Sequence, residues 1–388
     1  MTIIEHGRHQ TSYPEWTDFC SIGPDALMGR WLRTFWQPIY VAADLPVAYP
    51  KPIKMLDQQF TLYRGRSGDP HAVGFRCAHR RTQLSPGWVE GENIRCIFHG
   101  WMYDPEGQCV DQPAEPEPFH AEIRIPAFPV EEYLGLIFVY LGDGPPPPLQ
   151  RFPDVEAPFM AVDTKYRETS FYNHLALDRA HVNFTHFHRA PEARGRPTVP
   201  DAEETEWGMN YVYEADSKTD KVTYFGMPNV TAEMNFTRPG RRAETQLRWR
   251  VPIDDETHRD FTVRGFPSEA EYESWHQSRG TTQQEHNEKA RELARLILAG
   301  ELRIEDVTRM EKGNLVGNTE DNVTQVGMMP NSERRLEHLG QGDKPLIFRN
   351  GIFERELRAL SEGRELKRWY RPERLEFDNV SKFLGHTS

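Results

Sequence analysis

Short apolar runs separated by turn residues dominate the first 144 residues of the chain. Their regular spacing, broken by Gly, Pro and Asp, is typical of short strands in an antiparallel β domain. The longest run, residues 134–141, predicts a buried strand. The other runs are residues 36–42, 60–63, 72–75 and 93–97. The pattern predicts an N-terminal helical arm over residues 1–37 and a small antiparallel β domain over residues 38–144.

A proline-rich segment, residues 142–148, then divides the chain, because it reads Gly-Asp-Gly followed by four prolines. Neither a helix nor a central strand can run through such a segment, which predicts a stiff extended linker. Beyond it, longer helical and alternating patterns predict a larger domain over residues 149–388. Helices are predicted at residues 175–187, 285–298 and 352–361, and strands at residues 221–225, 245–251 and 260–263. The predicted fold class is therefore α+β, a small antiparallel β domain plus a larger domain whose antiparallel sheet is flanked by helices.

The composition excludes several classes of protein. The 47 basic residues are outnumbered by 59 acidic ones, and a formal charge of −12 disfavours nucleic acid and anionic membranes as partners. No apolar stretch approaches the roughly 20 residues of a membrane helix, and the first residues lack the basic and apolar regions of a signal peptide. We therefore expect a cytoplasmic protein. In a reducing compartment, four cysteines spaced among histidines indicate metal binding more often than disulfides.

The first candidate metal site is a quartet in the β domain. Cys77-Ala-His79 is followed, after 16 residues, by Cys96-Ile-Phe-His99, so each loop offers one Cys and one His. A zinc finger usually takes two Cys from one loop and two His from the other. Two His on one iron and two Cys on the other is the arrangement of a Rieske [2Fe–2S] cluster. A structural Cys2His2 zinc site is the alternative.

The second candidate is the pattern Asp178-x2-His181-x4-His186 in the larger domain. On a regular helix the two imidazoles would lie about 140° apart, so convergence on one metal requires the helix to end or distort between them. Asp178 and His181 share a helix face, which lets the carboxylate orient the imidazole. His188 is an alternative second ligand. Two histidines at this spacing are, by themselves, equally typical of hydrogen-bonded structural residues.

Together these motifs resemble those of the Rieske non-haem iron ring-hydroxylating oxygenase α subunits, in the phthalate-dioxygenase-like branch. The similarity is strongest around Cys77-Ala-His79-Arg80 and in residues 99–104, His-Gly-Trp-Met-Tyr-Asp, and it extends from about Gly23 to beyond Gly340. The resemblance implies a [2Fe–2S] cluster bound by Cys77, His79, Cys96 and His99.

The resemblance also implies a mononuclear iron bound by His181, His186 and a carboxylate. The family's carboxylate motif corresponds here to Glu320-Asp321, followed by Glu-His-Leu-Gly at residues 337–340. Asp321 is therefore the expected third ligand and Glu320 the alternative. His174 stands where the family usually has Asn, so it either approaches the iron or is a packed histidine.

In such α subunits, head-to-tail homotrimers place one subunit's cluster beside its neighbour's iron. By position, Asp178 would bridge His99 of one subunit and His181 of the next, which makes Asp178 the implied catalytic residue. We expect Cys109 to be a structural thiol and His258 to lie at the surface.

The resemblance implies the oxygenase component of a multi-component enzyme. Such an enzyme would use O2, with electrons from NAD(P)H delivered by a separate flavin/ferredoxin-type reductase. It would hydroxylate, dihydroxylate or oxidatively demethylate an aromatic or similarly apolar small molecule. Two alternatives remain open: a Rieske electron-transfer protein with a partner-binding second domain, and a zinc-stabilised binding protein.

Overall fold

The structure is a computed structural model that describes residues 14–176, 201–215, 219–235, 244–279, 283–311, 314–328, 336–373 and 375. Its first part consists of short strands, as the apolar runs predict, arranged in three antiparallel sheets with the orders β1-β11-β10, β2-β3-β4-β9 and β5-β6-β7-β8. These strands are β1 (Gln37–Val41), β2 (Lys51–Met55), β3 (Gln58–Arg64), β4 (Pro70–Gly74), β5 (Trp88–Glu90), β6 (Asn93–Arg95), β7 (Met102–Tyr103), β8 (Cys109–Asp111), β9 (Ala127–Phe128), β10 (Val130–Tyr133) and β11 (Leu136–Val139).

The second part is built on one antiparallel sheet with the order β12-β18-β17-β16-β15-β14-β13. The strands are β12 (Phe159–Arg167), β13 (Asp201–Glu204), β14 (Gly208–Ala215), β15 (Thr219–Gly226), β16 (Val230–Asn235), β17 (Glu244–Pro252) and β18 (His258–Phe266). The helices of the described residues are α1 (Leu27–Arg33), α2 (Phe171–Ala176), α3 (Glu269–Arg279), α4 (Gln283–Leu298), α5 (Ile304–Met310), α6 (Asn314–Gly327) and α7 (Lys344–Ser361). The predicted α+β class is confirmed.

The predicted elements of the larger domain differ from the observed ones mainly at their ends. The three predicted strands lie within β15, β17 and β18, and the helices predicted at residues 285–298 and 352–361 lie within α4 and α7. Helix α7 begins earlier than predicted, with Pro345 in its first turn, where the missing N–H of proline is tolerated. Of the helix predicted at residues 175–187, the structure describes only the part that belongs to α2.

The hairpin between β2 and β3 joins the two parts of the molecule. Its turn residues Leu56 and Asp57 have φ of 51° and 54°, the conformation of a tight two-residue hairpin turn. The N–H groups of these residues donate to the carbonyls of Pro252 and Ile253, both at 2.9 Å. These hydrogen bonds to the end of β17 offset the strain of two non-glycine residues with positive φ.

Buried apolar side chains form two cores. The larger core contains residues of α1, of β1 and of β11 together with the inner face of the large sheet, and Phe138 packs edge-on against Trp249 at 5.6 Å. A buried hydrogen bond from the amide of Asn229 to Gln37 (2.9 Å) crosses the same boundary. The smaller core lies beneath the loops that carry Cys77 and Cys96. The loops therefore have a hydrophobic base of their own, whereas the rest of the β region shares its core with the large sheet.

None of the helices in the described residues combines the length and the apolar character that crossing a bilayer would require.

Candidate metal centres

Two loops with the same backbone hydrogen-bond pattern carry the four predicted cluster ligands. The first loop lies between β4 and β5 and the second between β6 and β7. In each loop the cysteine N–H donates to the carbonyl five residues later, and the cysteine carbonyl accepts from the N–H four residues later. The four bonds are Cys77 N–H to Thr82 (2.8 Å), Arg81 N–H to Cys77 (3.0 Å), Cys96 N–H to Trp101 (2.9 Å) and Gly100 N–H to Cys96 (3.1 Å). The two loops are therefore a matched pair, although their Cys–His spacings differ by one residue.

The chain reverses in each loop at a residue with positive φ, which is 62° at Arg81 and 76° at Gly100. This left-handed conformation favours glycine. The space around Gly100 also favours glycine, because an added Cβ would lie 2.8 Å from Cγ of Pro113. The glycine after His99 is thus required by the loop itself.

The thiols face inward and the imidazoles outward. Cys77 and Cys96 are each 2% exposed, whereas His79 and His99 are half-buried, with ring centroids 4.6 Å apart. Burial raises the pKa of the Cys77 thiol, and the neighbouring Cys96 thiol adds to the increase. Two sulfur ligands therefore lie together on one side of the site, and two imidazoles lie together on the other.

The imidazoles are placed as ligands would be. The ring of His79 stacks on Trp101, with centroids 4.6 Å apart and an angle of 9° between the planes. Nδ1 of His99 is buried and, among the described residues, has no hydrogen-bond partner. Such an atom is costly unless its lone pair is used, as it is when a metal binds. The four side chains therefore fit a [2Fe–2S] cluster with two thiolate and two imidazole ligands.

Tyr103 supports one of the cluster thiols. Its hydroxyl accepts a hydrogen bond from the Ala78 N–H (3.0 Å) and lies 3.1 Å from Sγ of Cys77. Burial, followed by the neighbouring Cys77 thiol, raises the pKa of Tyr103. The hydroxyl therefore keeps its proton, which it can donate to the sulfur when Cys77 binds a metal as a thiolate. Sequence spacing gives no signal for this contact, because Tyr103 lies in β7 and not in either loop.

We expect Tyr103→Phe to lower the reduction potential of the cluster while leaving its colour intact. A hydrogen bond to sulfur stabilises the more negative, reduced form, so its loss favours the oxidised form. If the hydrogen bond contributes a net free energy of about 1 kcal/mol, its loss lowers the reduction potential by about 40 mV for a one-electron couple. A redox titration followed by electron paramagnetic resonance (EPR) checks this. An unchanged or higher potential would show that Tyr103 does not donate to Cys77.

The predicted mononuclear iron ligands are only partly described. Asp178, His181, His186 and the alternative His188 lie outside the described residues. The expected carboxylate, Asp321, is half-buried near the middle of α6, and its neighbour Glu320 is buried. The described residues thus place the proposed third ligand on a helix but do not test how the ligands meet.

The described residues contain one further group that could hold a metal, formed by His174, His258 and Asp260. Nδ1 of His174 lies 2.7 Å from Nε2 of His258, and Oδ1 of Asp260 lies 3.3 Å and 3.6 Å from these two nitrogens. All three residues are buried. Two imidazoles and a carboxylate are a donor set suited to Fe(II). Sequence analysis missed Asp260 because it lies within a strand pattern.

The prediction that His258 lies at the surface is wrong, since this residue is 0% exposed. Three acidic residues, at positions 254–256, precede it in the sequence. His258 is instead the first residue of β18, where it lies between Arg167 of β12 and Pro252 of β17. Its place in the sheet, and not the polarity of its neighbours in sequence, determines its burial. The prediction that His174 could be a packed histidine agrees with its burial.

Comparison with known proteins agrees with this geometry. Residues 35–133 match the family described as the Rieske [2Fe–2S] domain. The 5,5'-dehydrodivanillate O-demethylase oxygenase subunit of Sphingobium sp. (strain NBRC 103272 / SYK-6) is 30% identical over 61% of this chain and 58% of the relative. Phenoxybenzoate dioxygenase subunit alpha of Ectopseudomonas oleovorans is 29% identical over 66% of this chain and 68% of the relative. The chain is a homologue of Rieske oxygenase α subunits.

The fold of this Rieske oxygenase homologue agrees with solved structures. NdmA of Pseudomonas putida CBB5 with caffeine superposes with a TM-score of 0.61 at 19% identity, covering 86% of this chain and 93% of that chain. At this identity the likeness concerns the fold alone. The sequence relatives imply two kinds of metal centre, a Rieske [2Fe–2S] cluster and a mononuclear iron. The alignment with the demethylase subunit spans 58% of that relative's length, less than two thirds.

Proposed function

We propose that this chain is the oxygenase component of a multi-component Rieske non-haem iron oxygenase. The observation that carries the proposal is the matched pair of loops, which brings two buried thiols and two outward-facing imidazoles together and leaves Nδ1 of His99 without a hydrogen-bond partner in the described part of the chain. Sequence similarity to oxygenase subunits continues over about three fifths of the chain, well beyond the residues that match the Rieske domain. An electron-transfer protein needs only a cluster domain, so this extent favours an oxygenase.

In this proposal Cys77 and Cys96 bind one iron of the cluster, and His79 and His99 bind the other. The mononuclear iron is bound by the residue set His181, His186 and Asp321, with Asp178 orienting His181. When bound, the cluster would supply single electrons, and the mononuclear iron would supply a site for O2. The role of the protein's own residues is to exclude water, to hold the imidazoles in one orientation and to shield the thiols from solvent. Burial of Cys77 and Cys96 and the stacking of His79 on Trp101 support these roles.

We propose an aromatic or similarly apolar small molecule as the substrate. The support is that the relatives named above are a demethylase subunit and a dioxygenase subunit that are named after aromatic compounds, dehydrodivanillate and phenoxybenzoate. Hydroxylation, dihydroxylation and oxidative demethylation are all compatible with this set of relatives, as is the phthalate-dioxygenase-like branch. Aromatic residues such as Tyr224 and Phe225 do not decide between them, because they belong to the large hydrophobic core.

We propose a flavin/ferredoxin-type reductase as the electron donor and a head-to-tail homotrimer as the assembly. The outward position of His79 and His99 supports both, because the imidazole side of the site is the side that a partner can approach. Phe98, beside His99, is 53% exposed. A cytoplasmic location is in keeping with four buried cysteines that form no disulfide, all of which lie in the described residues.

The proposal predicts a red-brown protein that contains three irons per chain. Two irons belong to the cluster and one to the mononuclear site. The measurement is a visible spectrum of the purified protein combined with metal analysis after anaerobic loading with Fe(II). Two irons and no third site would favour the electron-transfer protein. A colourless protein that contains zinc would favour the binding protein and overturn the proposal.

A further inference from the structure

Thr169 connects the two segments that carry the proposed iron ligands. Its hydroxyl donates to the carbonyl of Gln325 at 3.0 Å. Gln325 lies in the last turn of α6, where carbonyls have no partner within the helix, and it follows Asp321 by one turn. Thr169 itself lies two residues before α2, the helix from which the chain continues to Asp178 and His181. The Thr169 side chain thus connects the end of α6 to the residues just before α2.

The carbonyl of Thr169 is bound as well, by His258 of the large sheet. Nδ1 of His258 lies 2.7 Å from this oxygen, and since a carbonyl only accepts, Nδ1 carries the proton. In the uncharged ring, Nε2 of His258 then accepts from Nδ1 of His174 at 2.7 Å. Oδ1 of Asp260 lies 3.3 Å from the same nitrogen of His174 but, among the described residues, takes no hydrogen bond. Through His258, the sheet therefore holds both His174 in α2 and Thr169, which lies two residues before that helix.

The far end of α2 is held too. Arg349 of α7 donates to the carbonyl of Leu175 at 2.6 Å, and near the start of the helix the hydroxyl of Tyr172 donates to Oδ1 of Asn350 at 2.5 Å. The guanidinium of Arg349 lies over the ring of Tyr172 at 5.4 Å. Polar contacts near both ends therefore fix the position of α2 against the sheet and against α7.

Charge disfavours a divalent cation among His174, His258 and Asp260. The carboxylate of Asp260 is already paired with the buried Arg167, at 3.4 Å. Burial holds the pKa of His174 well below its usual range, and the nearby Arg250 guanidinium acts in the same direction. A divalent cation would add charge to a buried region that already contains these guanidiniums, and little of the site is open to water. A chain of hydrogen-bonded neutral imidazoles beside the Asp260–Arg167 ion pair is the better use of these groups.

We propose that Thr169, His258 and His174, beside the Asp260–Arg167 ion pair, form a positioning network, and not a second metal centre, that fixes α2 relative to the Asp321 helix. The inference rests on the proposed function, because it concerns the residues assigned to the mononuclear iron. His258 and Thr169 are positioning residues in this scheme. They act on the iron through the elements that they hold.

The test uses pairs of variants of the full-length chain. Thr169→Val keeps the shape and the carbonyl but removes the hydroxyl bond to Gln325, whereas Thr169→Ser keeps the hydroxyl. His258→Gln removes the bond to the Thr169 carbonyl and leaves a polar atom near His174. Val263→Ala is the control for general destabilisation, because Val263 is a 0% exposed apolar residue of the same strand. The readouts are melting temperature, affinity for Fe(II) at the third site, and the EPR signal of its nitric oxide adduct.

We expect Thr169→Val and His258→Gln to bind the third iron about 10- to 100-fold more weakly, as is usual when a residue that orients a ligand is lost. At saturating Fe(II) the site should fill, with an altered nitric oxide signal, while Thr169→Ser and Val263→Ala keep the wild-type affinity and signal. Wild-type values in both test variants would overturn the inference, as would equal changes in Val263→Ala.

Two further outcomes separate this inference from the proposed function. A third iron that persists in Asp321→Ala but is lost at saturating Fe(II) in Asp260→Asn would make the buried group the iron site itself, and would overturn the positioning role. A wild-type protein that holds two irons only would overturn the proposed function, and the inference with it.

Discussion

His99→Ala and Cys77→Ser are each expected to abolish the visible spectrum and all product formation. Each variant removes one of the four ligands that the matched loops bring together, and the remaining three cannot hold both irons. The smaller core beneath the loops should also lose stability, since the free energy of metal binding is folding free energy where a site stabilises its own domain. Visible absorption, iron content and a thermal unfolding curve measure the three effects.

Cys109→Ser is the matched control for Cys77→Ser. Cys109 is a buried cysteine of the same small core but lies in β8, outside both loops. Its variant should keep the colour, even if burial of a hydroxyl in place of a thiol lowers the melting temperature. Colour that survives both His99→Ala and Cys77→Ser would show that the cluster is bound elsewhere.

His186→Ala is expected to leave the protein red-brown with two irons, and to abolish product formation. The cluster loops do not depend on this residue, whereas the mononuclear iron would lose one of three protein ligands. Metal analysis and product detection, with reductase and substrate supplied, test the prediction. His181→Ala should behave in the same way.

His188→Ala and Glu320→Ala are the corresponding controls, since these residues are the alternatives to His186 and Asp321. Each should keep the third iron. Product formation by His186→Ala, together with its loss in His188→Ala, would transfer the ligand role to His188. The comparison of Asp321→Ala with Glu320→Ala decides the carboxylate in the same manner.

Asp178→Asn should keep all three irons and still lose most activity, because the amide retains the shape of the carboxylate but not its charge.

The local pattern of the chain predicts much of the fold. Short apolar runs and turn residues identify the strands of the β region, and the amphipathic pattern at residues 285–298 identifies most of α4. Helix α7 starts earlier than the predicted residue 352, and Pro345 lies in its first turn, where a helix accepts proline. Local signals therefore identify element types better than element ends.

The residues of the candidate sites also differ in how well the sequence predicts them. Cys77, His79, Cys96 and His99 lie in short loops, so their spacing in sequence reflects their neighbourhood in space. The contacts of Tyr103 and of His258 come from strand pairing, which joins residues far apart in the chain and leaves no spacing to read. His258 and Thr169 are 89 positions apart, and only the order of β12, β18 and β17 brings them together.

The core that β1 and β11 share with the large sheet limits how this chain can be recombined with related ones. The proline run at residues 145–148 looks like a natural cutting point for exchanging cluster modules between related chains. A chimaera joined there would pair a foreign Phe138 position with the native Trp249, and would separate Gln37 from Asn229. Grafts confined to residues 58–128 would instead carry the matched loops with their own small core and keep both of these contacts, and only Phe60, Leu62 and Ala72 of the larger core's buried residues would be exchanged with them.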